Sequence, residues 1–366
     1  MSDIQARPNA EGAFALEVLS RDEAFTLGTY QAFIAGVKGY WRSDLYSRVK
    51  ARAGGLTNVP IEDIEREMSS HPDYFLYSWL ERRLQQFKYS GRWGLEAMAL
   101  AHEAEIDRLL PLDGRPDIPV EQLPTYVRDP DIHQHPKGLW SAAANVVAHE
   151  WYQTGASFSG VSSDVVVQHH IGKLLPLVPH IGKILDLACT LGRVSIALKR
   201  ALPKAEIVGV DVCEPAVRMS RAKAKARGLE IEFRQADGEA LPFADGTFDG
   251  VSAHWLFHEL PKQSISNVLD ELRRVLKPGG ALVICDMVHI PGGRLAQWFH
   301  VGHAHRNNEP YAIGLSELDF KVALESHGFR GVEMSDFNPE DRSTEWVEEL
   351  PEKRTHYMTM VVATRA

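Results

Sequence analysis

The chain is poor in what several function classes require. It has three cysteines in 366 residues, too few for a disulfide framework, so Cys189, Cys213 and Cys285 are expected as reduced structural thiols. It has no apolar run approaching the roughly 20 residues that span a bilayer. Its first residues, Met-Ser-Asp-Ile-Gln-Ala-Arg-Pro, lack the apolar stretch of a secretory signal, so a cytoplasmic protein without a membrane partner is expected. Excess positive charge is absent too. A net charge of −9 and a pI near 6.0 argue against binding a nucleic-acid backbone. The dense basic run Arg218, Arg221, Lys223, Lys225 and Arg227 reads as the solvated face of a helix. No internal repeat or low-complexity tract interrupts the chain.

What is present is the composition of a globular protein, 44% apolar and 24% charged, long enough for two domains. Residues 13–53 and 61–110 carry apolar positions at helical spacing, parted by the turn Ala53–Pro60 and broken near His71-Pro72 and Ser90–Gly94. The aromatics Tyr40, Trp41, Tyr74, Phe75, Tyr77, Trp79 and Trp93 suit either a helical core or a pocket wall, with core packing preferred. Six prolines between 111 and 138 forbid long regular elements there, which predicts an irregular strap. A helix over 141–154, a Gly/Ser-rich joint over 154–160 and a helix over 164–175 follow. This predicts a helical domain over 1–160 and a second domain over 161–366.

The second domain opens with the most informative run, Lys183-Ile-Leu-Asp-Leu-Ala-Cys-Thr-Leu-Gly-Arg-Val-Ser195. It reads as a buried strand, a tight turn and a helix. A second apolar run, Ile207–Val210, ends on Asp211. Strand, close turn, helix and a carboxylate-tipped strand make half of a nucleotide-binding crevice, with the carboxylate placed to accept from ribose hydroxyls. Further along stand Phe233–Phe243, Phe248–Val251, Leu276-Lys-Pro-Gly-Gly-Ala-Leu-Val-Ile-Cys-Asp286, His327–Met334 and Tyr357–Val362. In this order they resemble the class I S-adenosylmethionine-dependent methyltransferases, in particular the branch with the ubiquinone- and menaquinone-biosynthesis enzymes, over about residues 165–366.

The resemblance implies an α/β, Rossmann-like seven-stranded sheet with an added N-terminal helical domain. It implies S-adenosyl-L-methionine as cofactor, held by Asp186, Ala188, Thr190, Gly192, Asp211, Val212, Asp237, Gly238 and backbone near His254. It implies methyl transfer to a small-molecule acceptor, whose accepting atom stays open. The apolar cap regions suggest an aromatic or partly apolar acceptor, and the extra helices either roof its pocket or build a homodimer.

One departure stands in the first loop. Its three usual glycine places hold Ala188, Thr190 and Gly192, and β-branched threonine resists positive φ. Either the loop tolerates Thr190, its hydroxyl bonding the turn or the cofactor, or the fold is non-catalytic or repurposed; the first is preferred because the acidic positions are intact. For acid–base work the candidates are His254, His258 and Glu259 after the fourth strand, then His289, His300 and His303 after the fifth. With His305 and Asp286 the latter group has enough donors for a metal, and His133 and His135 in the strap are able to join it. The spacing matches no metal motif, polar pocket lining is preferred, and no metal ligand is assigned.

Overall fold

The computed structural model describes residues 16–111, 116–135, 142–154, 163–290, 292–338, 342–346, 350 and 358–366. The Gly/Ser-rich joint and Pro136 lie outside the described residues. Seven strands form one sheet: β1 (Lys183–Leu187), β2 (Glu206–Asp211), β3 (Glu232–Gln235), β4 (Phe248–His254), β5 (Leu276–Asp286), β6 (Phe329–Phe337) and β7 (Met358–Arg365). Their order is β3-β2-β1-β4-β5-β7-β6, with β7 inserted antiparallel between β5 and β6 and the other neighbours of β1 to β5 parallel. The class expected from the sequence is the one observed.

The strands are apolar on both faces because helices cover both faces. One cluster packs Leu185, Val208, Val251 and Ile284 against Leu269, Leu272 and Val275; a second packs Ile184, Ile207 and Val283 against Leu174, Val194 and Leu198. In β2, Gly209 faces Asp186 of β1 in register, and a Cβ there would stand 2.5 Å from Phe233 Cδ1. Glycine is needed at that point because Phe233 crosses directly over the strand.

The helices, in chain order, are α1 (Arg21–Tyr40), α2 (Tyr46–Ala53), α3 (Ile61–Met68), α4 (Pro72–Tyr89), α5 (Leu95–Ala101), α6 (Glu103–Leu109), α7 (Thr125–Arg128), α8 (Ala143–Thr154), α9 (Ser163–Leu174), α10 (Arg193–Ala201), α11 (Glu214–Ala226), α12 (Lys262–Val275), α13 (Arg294–Asn307), α14 (Ala312–Ser316) and α15 (Phe320–Ser326). Among the described residues, none is long and apolar enough to cross a membrane. Their starts follow local chemistry. Ser20 and Glu23 close a capping box on α1, Pro72 occupies the first turn of α4, and the Asp319 side chain caps α15. Between α1 and α2 the turn Trp41–Leu45 widens to π geometry, which turns Trp41 and Arg42 toward the interior cavity.

The N-terminal helices share their cores with the sheet half. Leu95, Met98 and Ile106 pack with Val147 and Trp151 of α8 and with Cys213, Ala216 and Met219 around α11. Trp41, Tyr46, Tyr74 and Tyr77 pack with Trp298 and Phe299 of α13. The expected aromatic core is there for those residues, while Phe75, Trp79 and Trp93 are exposed. The basic run on α11 is solvated only in part: Arg221 and Lys225 are exposed, and Lys223 is buried. Lys223 meets Glu150 of α8 at 2.8 Å, because α8 covers this side of the helix, and Arg221 donates to the Phe233 carbonyl of β3.

The strap crosses the carboxyl ends of the strands. Gln235 at the end of β3 accepts from the Ile118 N–H at 2.9 Å and donates to the Ile118 carbonyl at 3.0 Å. Tyr126 donates to Glu239 at 2.8 Å. The strap thereby lays His133 over the loop that follows β4.

Candidate active site

A cavity of about 490 Å³ lies beyond the carboxyl ends of β1, β2 and β4, within the usual size for a small-molecule pocket. One end is acidic and built by the first loop. Ala188 (φ 57), Thr190 (φ 46) and Gly192 (φ 68) all adopt left-handed backbone, so the turn keeps its shape with only one glycine. Hydrogen bonds hold it there. The Thr190 N–H donates to Asp211 Oδ2 at 2.9 Å, its hydroxyl donates to the Ala188 carbonyl at 3.1 Å, and its carbonyl accepts from Ser220 at 2.9 Å. At Gly192 a Cβ would meet Phe233 and Ser220 at 3.1 Å, so a side chain here would have to push both aside by a few tenths of an ångström.

Asp211 also accepts from the Cys213 N–H at 2.9 Å; burial nevertheless pushes its pKa up to about 6. Val212, Asp237 and Gly238 line the same end. Asp186 lies deeper, with Ser195 at 2.5 Å and Ser252 at 3.3 Å donating to its two oxygens, and burial raises it to about 7. It supports the loop from below. His254 lines the cavity with Nε2 buried and without a partner, and burial beside His170 holds its pKa well below the usual range.

The opposite end is a mesh of imidazoles and carboxylates. His258, on the short turn Phe257–Glu259, donates from Nδ1 to Asp286 Oδ1 at 2.8 Å. Asp286 also accepts from the Phe257 and Met287 N–H groups, which fixes the ring. Glu259 Oε1 lies 3.3 Å from His258 Nε2 and 2.8 Å from His133 Nε2. His133 Nδ1 lies 3.1 Å from Glu309 Oε1, and Asn307 donates to that same oxygen at 3.0 Å. Burial disfavours a charged His133, but Glu259 and Glu309 outweigh it and raise its pKa to about 9; burial likewise opposes charge on Glu259, which His133 and His258 hold down at about 2. His303 reaches the cavity edge and bonds Glu81 at 2.6 Å. Between the two ends the wall is apolar and aromatic, with Trp41, Tyr89, Tyr126, Tyr152, Trp255 and Leu256.

The four histidines after β5 do not form the cluster the sequence suggested. His289 pairs with Asp336 at 2.8 Å beside Trp346, His300 points Nε2 toward the Ala312 carbonyl at 3.4 Å, and His305 is exposed. Of these only His303 lines the cavity: His289 precedes α13, His305 is exposed on it, and His300, one turn before His303, is directed at α14. His258, not that group, takes Asp286. Sequence reasoning assigned no role to Glu309 or Glu81. Glu309 follows the polar pair Asn307-Asn308, but Glu81 sits mid-helix with no local signal. Backbone strain would have found the site: Ala188, Thr190, Trp255 (φ 57) and His133 (φ 54), all left-handed and none glycine, line this cavity.

Residues 184–280 match a family model described as "Methyltransferase domain". This part of the chain is similar to methyltransferase domains. It is 42% identical over 110 residues to a demethylmenaquinone methyltransferase of Thermus thermophilus, covering 30% of this chain and 49% of that one. It is 33% identical over 139 residues to a 2-phytyl-1,4-naphtoquinone methyltransferase of Synechocystis, covering 36% and 57%. The chain thus spans about half the length of the curated relatives it matches. A solved SAM-dependent methyltransferase of Aquifex aeolicus aligns at 22% identity over 54% of this chain and 89% of its own, with a TM-score of 0.39.

Proposed function

We propose that the chain transfers a methyl group from S-adenosylmethionine to a partly apolar, oxygen-bearing small molecule of the quinone or hydroxylated aromatic type. The carrying observation is one cavity with a cofactor-shaped acidic end and an acceptor-shaped polar end, joined by an aromatic wall. The acidic end suits the cofactor. Asp211 offers buried carboxylate oxygens beside a backbone turn, and Asp186, Asp211 and Asp237 make this end acidic. When bound, that group supplies an electrophilic methyl carbon.

The residues of the chain have these roles in the proposal. Asp211 accepts from the ribose hydroxyls, and Asp237 with Gly238 borders the adenine. The left-handed loop 188–192 leaves backbone, with one short side chain, facing the methionine portion. Tyr89, Tyr126, Tyr152 and Trp255 hold the acceptor ring by stacking and burial, and His133, His258 and Glu259 receive its oxygens. Strap and N-terminal helices exclude water and place the acceptor in line, which is the main source of acceleration in a displacement of this kind. The relatives named for demethylmenaquinone and phytyl-naphthoquinone methylation support a bicyclic quinone as the first acceptor to try. The retained turn geometry at Thr190 removes the motive for a non-catalytic reading.

The test is calorimetric titration with S-adenosylhomocysteine, with Asp211→Ala alongside, then mass detection of a methyl gain on reduced naphthoquinones. Micromolar binding that the variant loses is expected. A folded wild-type protein that binds neither cofactor form would overturn the proposal. A homodimer accompanies it, supported by the exposed Phe25, Phe33, Phe75 and Trp79 on α1 and α4; sedimentation showing a monomer at micromolar concentration would remove that part.

A further inference from the structure

The polar end of the cavity holds more ionisable groups than acceptor binding requires, and their arrangement is specific. His133, His258 and Glu259 each present one donor atom, and the three atoms lie within 4.8 Å of one another. The two measured edges, 2.8 and 3.3 Å from Glu259 Oε1 to the two Nε2 atoms, match coordination geometry. Metal–ligand bonds of about 2.1 Å place neighbouring donors about 3.0 Å apart in an octahedron and about 3.4 Å apart in a tetrahedron.

Three further observations point the same way. Each imidazole is backed at its other nitrogen by a carboxylate, His258 by Asp286 at 2.8 Å and His133 by Glu309 at 3.1 Å. Such pairs orient ligating histidines and present Nε2 as the donor. Secondly, Glu259 Oε2 and Glu309 Oε2 are out of solvent contact with no hydrogen-bond partner, and Glu309 is 2% exposed. A buried carboxylate oxygen without a partner is costly unless a cation takes it. Thirdly, the donors come from distant segments, the strap and the loop after β4, and His133 and Gln134 hold φ of 54° and 61°. The strained backbone is held by the Gln85 side chain, which donates to the His133 carbonyl at 3.3 Å.

We infer that His133, His258 and Glu259 form a binding site for one divalent transition-metal ion, with Glu309 beside it, and that this ion receives an oxygen of the acceptor. The site rests on the side chains alone; its use to hold the acceptor rests on the methyl-transfer reading. Two imidazoles and one carboxylate favour Zn²⁺, Co²⁺, Mn²⁺ or Fe²⁺ over the hard oxygen-seeking Ca²⁺ and Mg²⁺. Three protein ligands leave positions open on the cavity side. An acceptor bearing a phenolic or enolic oxygen coordinates there, so the methyl acceptor is a chelating or hydroxylated molecule rather than a plain hydrocarbon ring.

The test uses the full chain, free of any affinity tag, stripped with chelator and titrated with Co²⁺ while visible absorption is recorded. Expected are d–d bands saturating at one equivalent per chain, displaced by Zn²⁺. Glu259→Gln and His133→Ala should each weaken Co²⁺ binding by more than about 100-fold, and Asp286→Asn by about 10- to 100-fold. S-adenosylhomocysteine titration of the same samples reports on folding and on the methyltransferase reading separately. Cofactor binding without Co²⁺ bands would overturn the metal site and leave methyl transfer standing. Co²⁺ bands without cofactor binding would do the reverse. Bands that survive in the Glu259 and His133 variants would place the ion elsewhere and overturn the assignment.

Discussion

Asp211 gives the cofactor reading a pH signature. Its folded pKa is about 6, raised by burial against the pull of its backbone donors. Ribose hydroxyls donate only to the ionised carboxylate with full strength, so bound ligand lowers this pKa and binding releases a proton. The sign follows: affinity rises with pH through 6 and falls below it. The ionised fraction is about 0.97 at pH 7.5 and about 0.09 at pH 5, so Kd for S-adenosylhomocysteine should rise about tenfold between them. Calorimetry in buffers of different ionisation enthalpy reads the proton directly, nearly one released per ligand at pH 5 and almost none at pH 7.5. Asp211→Asn, of similar size, should bind at least about tenfold more weakly at pH 7.5, having one acceptor oxygen and a donor set against backbone N–H groups. It should also lose the dependence on pH, which separates Asp211 from Asp186 below it. A Kd constant from pH 7.5 to 5 in folded wild-type protein would refute the placement of Asp211 on the ligand.

Other expectations follow from single contacts. Asp186 has a folded pKa near 7, above that of an unfolded aspartate, so it favours folding at low pH and this contribution is lost as pH rises through 7. Asp186→Asn should therefore gain about 2 kcal/mol on wild type between pH 5.5 and 8 in denaturant melts, and a constant difference would count against it. Gly209→Ala forces a methyl into Phe233 and should cost about 1–3 kcal/mol in the same assay. Gln235→Ala cuts both bonds to Ile118; strap residues 116–135 should become faster to proteolysis while the isolated sheet signal in circular dichroism stays. Thr190→Gly should leave stability within about 1 kcal/mol, since relief at φ 46 opposes the lost Ala188 bond and the gained chain entropy, and a collapse of stability would show the threonine is needed.

The sheet was legible because its strands are buried on both faces and because β2 and β5 end on carboxylates, Asp211 and Asp286. Leu185, Val208 and Ile284 are apolar by necessity, and Asp211 follows at the one place a polar tip is open to a ligand. The helix limits near Pro72 and Leu95 were legible from proline and glycine. The polar end was legible only in part: His258, Glu259 and His303 stood out as candidates, but the contacts that join them to His133 of the strap, to Glu309 after α13 and to Glu81 of mid-α4 form only after folding. A histidine count after β5 pointed to the wrong partners, because helical rotation sends His305 away from His303, and His300, one turn earlier, is directed at the Ala312 carbonyl. Thr190 looked like a defect in sequence, yet Asp211 and Ser220 hold the turn through its backbone, which any residue supplies.

The shared cores also set the order in which the chain becomes a structure. Helices α1 to α4 bury Trp41, Tyr46 and Tyr77 against Trp298 and Phe299, which are made much later. At synthesis rates of about 5–20 residues per second, the 188 residues from 110 to 298 take roughly 10–40 s to emerge. Throughout that interval the nascent N-terminal helices carry an uncovered aromatic face. The seal on that core therefore comes from α13, which is translated only after the first five strands of the sheet.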